Sequence, residues 1–330
     1  MKKIVFAFTL VFLLSSCDDG GFSIDNFDFS NVNAASCNEN SNQFFLHYIS
    51  GNEVLILQIP NNAFPNEITQ PDQPRIINIS GTNRVLYRIY SDNVTASQIC
   101  TTIPPATPIV REEWNAVSGI ISIQTFTNRT NNETTGQSFI TGYTHLITLI
   151  NANFEKASGE QQLFAELTLG DYTTPASPPN IPETAPLQNC QGNFEFIFKN
   201  SSDQAIILAL SETLIQNQVT LPDAPRTAAI DQNNTTVFFR IYNQGIPNPA
   251  TFFCNGGTPI LPEGNENWIG RSSTGLDNGI VEVVTTSGFN TQGEPIFSHE
   301  IFLRRVRFQK GAVDFTFGNL YSLGIIVTNP

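Results

Sequence analysis

The chain repeats itself once, and that repeat limits what it can fold into more than any other feature. Pro71-Asp72-Gln73-Pro74-Arg75 returns as Pro222-Asp223-Ala224-Pro225-Arg226. Val85-Leu86-Tyr87-Arg88-Ile89-Tyr90 returns as Val237-Phe238-Phe239-Arg240-Ile241-Tyr242, and Thr107-Pro108-Ile109 as Thr258-Pro259-Ile260. Glu112 and Trp114 match Glu266 and Trp268, and His145, Phe154 and Lys156 match His299, Phe308 and Lys310. The order is kept throughout, at an offset of about 151 to 154 residues. Solenoid repeats run to 20–50 residues, so each copy has the size of a whole domain. Five prolines between Pro175 and Pro186 mark the junction, and such a run favours an extended, semi-rigid spacer. The expected organisation is copy 1 over residues 37–174, a linker over 175–186, and copy 2 over 187–330.

The cysteines follow the same period. Cys37 and Cys100 match Cys190 and Cys254, while Cys17 has no counterpart. Four cysteines allow three pairings. The duplication favours Cys37–Cys100 and Cys190–Cys254, one bond carried by each copy. Each would close a loop of more than 60 residues, worth roughly 4 kcal/mol in the chain-entropy model. No Cys-x-x-Cys occurs, which leaves zinc and redox readings without support.

Strand signals dominate both copies. Phe194, Phe196 and Phe198 alternate with Glu195, Ile197 and Lys199. Glu53 to Ile59 is a short apolar run, and Gly279 to Thr285 is rich in β-branched residues. His299–Phe308 and Ala312–Phe317 flank a Gln309-Lys310-Gly311 turn, as His145–Glu155 and Leu163–Leu169 flank Ser158-Gly159. No segment holds a capped helical period for more than a turn or two. The expected class is all-β, two tandem β-sandwich domains of immunoglobulin-like or jelly-roll-like type.

The amino terminus has a different composition. Lys2 and Lys3 precede an apolar run from Ile4 to Leu14, broken only by Thr9. That run is shorter than the ~20 residues of a membrane-spanning helix and suits a signal-peptide core. Leu14-Ser15-Ser16-Cys17 follows and resembles the lipobox of bacterial lipoproteins. The resemblance implies cleavage before Cys17 and acylation of that cysteine, leaving residues 1–16 as signal peptide and 17–36 as tether. Two or more acyl chains anchor stably where one is marginal. Asp18-Asp19-Gly20-Gly21 resembles the export signals of Bacteroidota-type surface lipoproteins; in an enterobacterium an Asp there would point to inner-membrane retention instead. The expected location is the cell envelope, at the outer membrane and exposed at the surface. Phe22, Phe27 and Phe29 interrupt the polar tether, either to dock on copy 1 as an added strand or to serve as a partner-binding peptide.

Cleavage would remove two lysines and no acid, taking the formal charge from −13 to −15. So acidic a chain does not attract nucleic acid. No nucleophile elbow, zincin, Walker or dinucleotide motif occurs. The three histidines, His47, His145 and His299, are too few for a multi-histidine metal site, so neither metal nor cofactor is expected. Trp114 and Trp268 are candidate sugar-stacking residues, against packing beside each disulfide. Arg88 and Arg240 fit cross-strand pairs or stacked guanidiniums. Arg304, Arg305 and Arg307 replace Ile150, Asn151 and Asn153 and form a basic patch with Lys310. That patch suits an acidic glycan or a partner's carboxylates, or it pairs with Glu282, Glu294 or Glu300. The functional expectation is a non-catalytic binding module for glycan or protein. A structural or adhesion component is the alternative, and a glycan-active hydrolase the remote one.

Overall fold

Alternate residues of a strand face opposite ways, so a strand apolar at every position must be covered on both sides. Val54-Leu55-Ile56-Leu57 and Ala205-Ile206-Ile207-Leu208 are such runs, and all eight side chains are buried. The computed structural model describes residues 28–37, 45–190, 193–211, 213–231, 233–254, 263–271 and 279–330. The chain is mostly β, in large antiparallel sheets. It divides into two compact units that are not contiguous in sequence. Unit 1 takes residues 1–64, 71–124 and 145–172; unit 2 takes 65–70, 125–144 and 173–330.

Unit 1 is built from β1 (Ala35–Ser36), β2 (Phe45–Ser50), β3 (Glu53–Gln58), β4 (Arg75–Asn78), β5 (Arg84–Tyr90), the short helix α1 (Ser97–Cys100), the inner parts of β6 (Val110–Asn132) and β7 (Gln137–Lys156), β8 (Gln161–Thr168) and the start of β9 (Tyr172–Pro175). The strand order is β1-β2-β3-β5-β6. Tyr87 pairs with Trp114 and Arg88 with Glu113. Beyond Gly119, β6 pairs with β4, with Arg75 opposite Ile123, while β7 pairs with β8. One apolar cluster gathers Leu55, Leu57, Tyr87 and Trp114 with Ile121, Ile147, Leu149 and Phe154. A second, smaller cluster on the other face of β3 holds Val54, Ile56, Leu86 and Tyr90, with Ile99 of α1 packed on it. Each fully buried side chain of this size contributes on the order of 2 kcal/mol.

The Phe29 part of the tether docks. Its ring is fully buried and meets Tyr48 and Tyr87 edge-on at 6.4 and 6.2 Å. Gly170 permits the approach, because a Cβ there would lie 2.0 Å from the Val32 carbonyl oxygen. Cys17, Phe22, Phe27, the signal segment and Thr258–Ile260 lie outside the described residues.

Unit 2 contains β10 (Leu187–Cys190), β11 (Asn193–Ser201), β12 (Gln204–Ala209), β13 (Arg226–Ala229), β14 (Thr236–Tyr242), α2 (Pro249–Cys254), β15 (Gly264–Gly270), β16 (Ile280–Phe289), β17 (Pro295–Arg304), β18 (Arg307–Lys310), β19 (Val313–Thr316) and β20 (Tyr321–Thr328). One sheet runs β10-β11-β12-β14-β15-β18-β19, and a four-stranded sheet runs β13-β16-β17-β20. The main cluster holds Ile206, Leu208, Phe239 and Trp268 with Val281, Ile301, Phe308 and Phe315. On the other face, Phe198, Ala205, Ile207 and Tyr242 are packed by Phe252, Phe253 and Cys254 of α2. The alternating segment around Phe198 is the strand β11, and it is covered on both faces: Ile197, Phe198 and Lys199 are all fully buried. Lys199 donates to the Glu183 carbonyl at 2.8 Å. The proline-rich stretch is not a free spacer either. Ile181 is buried in the core of unit 2, and the Asn180 N–H donates to Gln204 at 2.6 Å.

Matched positions of the two repeats adopt matched local structure. Thr69 and Thr125 exchange backbone and hydroxyl hydrogen bonds, as Thr220 and Thr285 do. Tyr90 N donates to the Asn52 carbonyl and Tyr242 N to the Asp203 carbonyl, both at 2.8 Å. Asn151 and Arg305 both have left-handed backbones, with φ of 50° and 52°.

The outer part of the β6–β7 hairpin, residues 125–144, completes unit 2. Ile140 and Tyr143 belong to its core cluster. Phe139 packs on Phe315 and Phe317 at 6.2 and 5.9 Å. Ser138 pairs with Thr316 of β19. Arg129 Nη1 donates to the Asp314 carbonyl at 2.6 Å and lies 3.4 Å from its carboxylate. Gly318, at φ +113°, allows the closeness, since a Cβ there would lie 2.5 Å from the Thr135 carbonyl oxygen.

Candidate functional site

The repeated Glu, Trp and Lys come together in each unit. Trp114 Nε1 donates to Glu112 at 2.8 Å, and Trp268 Nε1 to Glu266 at 2.8 Å. Lys156 reaches Glu112 at 2.7 Å and lies 4.1 Å above the Trp114 ring. Lys310 reaches Glu266 at 3.5 Å and lies 5.7 Å above the Trp268 ring. The paired carboxylates hold the Lys156 ammonium well above the usual lysine range. Trp114 and Trp268 are only 1% and 5% exposed. A sugar stacks on an open ring face, and neither indole offers one. The alternative placement beside each disulfide is corrected as well. Trp114 sits in the cluster of Leu55 and Tyr87, whereas α1, which carries Cys100, packs on the other face of the sheet. Trp268 likewise lies opposite Cys190 and Cys254.

A cavity in unit 2, lined by Trp268, Glu266, Tyr143, Phe239, Phe315 and Ile140, encloses about 20 Å³. That is room for about one water, not for a sugar ring. Burial, with the charge of Glu266 adding to it, pushes Tyr143 up to about 12, so it stays a neutral hydroxyl.

The basic patch is paired. Arg304 donates through Nε and Nη2 to one carboxylate oxygen, Oε2 of Glu282, at 3.0 and 2.8 Å. Arg307 faces Asp314 at 3.2 Å, and Arg305 occupies the left-handed position where copy 1 has Asn151. Asp314 thus serves both Arg129 and Arg307. The strand arginines behave as expected of cross-strand partners. Arg88 binds Glu113 at 2.6 Å. Arg240 donates to Asn267 at 3.0 Å and lies 5.3 Å above Phe238.

His145 and His299 are fully buried. His299 bridges Thr285 and Thr328, at 2.9 Å each, and Arg226 donates to Thr285 at 2.8 Å. His145 stacks on Tyr172 at 5.9 Å. Burial, aided by the charge of Arg75, holds His145 down at about 4; burial and Arg226 act on His299 in the same direction. These histidines hold the fold and face no solvent.

Both disulfides form, Cys37–Cys100 and Cys190–Cys254, with Cα atoms 5.1 and 5.3 Å apart. His47, 3% exposed, places Nδ1 3.9 Å from each sulfur of the first bond. Two cysteines and a histidine make a metal-ligating trio by residue type. With the sulfurs bonded to each other, the thiolates that a metal needs are absent. The repeat puts Phe198 where His47 stands, so this trio is peculiar to copy 1.

What sequence reasoning did not single out is a pair of exposed apolar residues. Leu163 of β8 is 63% exposed and Phe289, at the end of β16, is 75% exposed. Neither departs from an ordinary strand pattern, and only the repeat register connects them. No protein-family model matches this chain, and neither a curated protein nor a solved structure does.

Proposed function

We propose that this chain is a lipid-anchored envelope protein, made of two copies of one β-sandwich domain, that works by holding a protein partner and catalyses nothing. The lipid anchor rests on the lipobox resemblance at Cys17, and surface display on the acidic residues that follow it. The sandwich reading is supported in each copy by a cluster that packs one sheet against strands carrying the repeated histidine.

The observation that carries the binding role is where apolar surface is left in water. Both tryptophans are closed over, each hydrogen-bonded to its own glutamate. Leu163, Phe289, Ile325 and Val327 are instead 50–75% exposed. Among the described residues all four lie on strands bonded to a single neighbour or on a hairpin end, which is where a second chain adds to a sheet. A hydrolase would need a free acid in a pocket, and Glu266 is committed to Trp268 and Lys310.

Photoreactive side chains placed at Leu163 and at Phe289, and irradiated in intact cells, are expected to give discrete protein adducts. Carbohydrate binding that disappears with Trp268→Ala, in the absence of any adduct, would overturn the reading.

A further inference from the structure

The two disulfides occupy matched places, and one residue beside them differs. His47 opposes Ile56 across β2 and β3, as Phe198 opposes Ile207 across β11 and β12. Phe198 packs on Phe253 of α2 at 4.6 Å, with Cys190 and Cys254 against the same cluster. His47 turns Nδ1 to the sulfurs instead, 3.9 Å from Cys37 and 3.9 Å from Cys100. Copy 2 therefore offers two sulfurs, and copy 1 offers two sulfurs and an imidazole nitrogen. Among the described residues no other cluster brings three histidine, cysteine or carboxylate ligands together.

These distances are close to those of a metal site. Zinc holds thiolate sulfur at about 2.3 Å and imidazole nitrogen at about 2.0 Å, which sets their tetrahedral separation at about 3.6 Å. Nδ1 is within a few tenths of an ångström of that spacing from both sulfurs. Only the sulfurs have to part, to about 3.8 Å. The local chain is built for a small shift. Cys100 ends the single turn of α1, which packs on the sheet through Ile99, and Cys37 follows the two-residue strand β1. Cys100 is half-buried, which gives a small reductant its approach, while Cys37 and His47 are 6% and 3% exposed. Two thiolates cancel the charge of a divalent ion, so the filled site buries no net charge.

We propose that the Cys37–Cys100 bond is a reduction-gated metal site: once it is reduced, Cys37, Cys100 and His47 bind a divalent, thiolate-preferring ion of the zinc class, and copy 2 binds none. The inference goes beyond the protein-holding role and does not depend on it. The reductant is a dithiol. It gives two electrons and two protons to the sulfur–sulfur bond and becomes a disulfide itself, while Cys37 and Cys100 become thiols. The ion then displaces both thiol protons to solvent, and two metal–sulfur bonds and one metal–nitrogen bond form. Three protein ligands leave the fourth position of zinc to water.

The test is zinc titration of the full chain in detergent, reduced with a dithiol and then freed of it under argon, beside His47→Phe. That substitution matches the residue of copy 2, so its circular dichroism should match the parent. The reduced parent is expected to bind one zinc per chain, to melt higher with zinc than without, and to show thiolate-to-metal absorption with cobalt(II) as the probe. Reduced His47→Phe should bind zinc at least about tenfold more weakly, the least that even an outer-shell partner costs. A second measurement needs no substitution. In the reduced parent, zinc should shield Cys37 and Cys100 from alkylation and leave Cys190 and Cys254 reactive. Equal affinity in the two reduced chains overturns the proposal, as does zinc held by the oxidised chain, or shielding of all four cysteines or of none. A reduced, metal-free parent that has lost its strand signal overturns it too, because only the fold holds His47 beside both sulfurs.

Discussion

Strands β8 and β19 hold the same place in their repeats and meet opposite fates. β19 reads Val313-Asp314-Phe315-Thr316, and its Val, Phe and Thr are buried, because residues 125–144 cover it. Asn153 opposes Leu163 as Arg307 opposes Thr316, so the matching stretch is Glu160-Gln161-Gln162-Leu163, with Glu160, Gln161 and Leu163 exposed and Gln162 half-buried. The sequence has adapted to the cover. Under residues 125–144 stand a phenylalanine facing the core and an aspartate for Arg129; at the matching positions of β8 stand Gln162 and Gln161. The sequence repeat carries matched strand pairings, and the difference at these matched positions follows what lies on β19.

That comparison can be broken in several ways. The largest expected effects are in each core. Trp114→Ala and Trp268→Ala should each cost about 3–5 kcal/mol. Each loss should be confined to the unit that holds the residue, read as separate transitions in calorimetry. One common transition would show that the copies do not melt independently. Opening either disulfide, by Cys37→Ser with Cys100→Ser or by Cys190→Ser with Cys254→Ser, should cost roughly 4 kcal/mol on loop length alone. The two bonds span 63 and 64 residues, so their costs should agree. A much larger cost in copy 1 would give His47 a role beyond packing.

Next comes the hairpin. Ile140 is numbered within copy 1 but buried in the core of unit 2, so Ile140→Ala should cost unit 2 about 2–4 kcal/mol and leave unit 1 unmoved. The reverse pattern would dissolve the contrast between β8 and β19.

Acid titration gives an effect of similar size. Buried His145, held at about 4, is neutral in the fold and protonates in the unfolded chain below its ordinary value of about 6.5. Its contribution to stability is complete above that value and is lost as pH falls toward 4, at up to about 1.4 kcal/mol per pH unit. His299 acts in the same direction. His145→Gln should flatten the pH dependence of unit 1 melting over that window, and an unchanged slope would contradict the assignment.

The smallest effect separates the two lysines. Lys156 lies 4.1 Å and Lys310 5.7 Å from the tryptophan ring below it. Lys156→Ala should cost about 1 kcal/mol and Lys310→Ala about half of that, measured by denaturant midpoint.

The repeat made much of this legible. It fixed the cysteine pairing, because only one pairing is carried whole by each copy. It also brought forward Glu112, Trp114 and Lys156, which the fold gathers. Three things were not fully legible. The alternation around Phe198 marks a strand without showing what covers it; α2 packs on it through Phe252 and Phe253, and so short a helix leaves no periodic signal. The arginine cluster was legible only in part: Glu282, one of the acids the sequence offers as a partner, does pair with Arg304, whereas Asp314 reaches Arg307 only through strand pairing. The division at residues 174 and 187 misses residues 125–144, because a hairpin counted with copy 1 has its outer part in the other unit's core. Nothing local distinguishes a strand that stays home from one that does not.

Hydrogen–deuterium exchange on the Ile140→Ala variant tests the central contrast most directly. In the parent, residues 137–144 and 313–316 should be protected together, since Ser138 pairs with Thr316 and Phe139 packs on Phe315 and Phe317. In the variant both segments should lose protection together while 53–58 of unit 1 stays as it was. Loss in 53–58 with 313–316 unchanged would contradict the account.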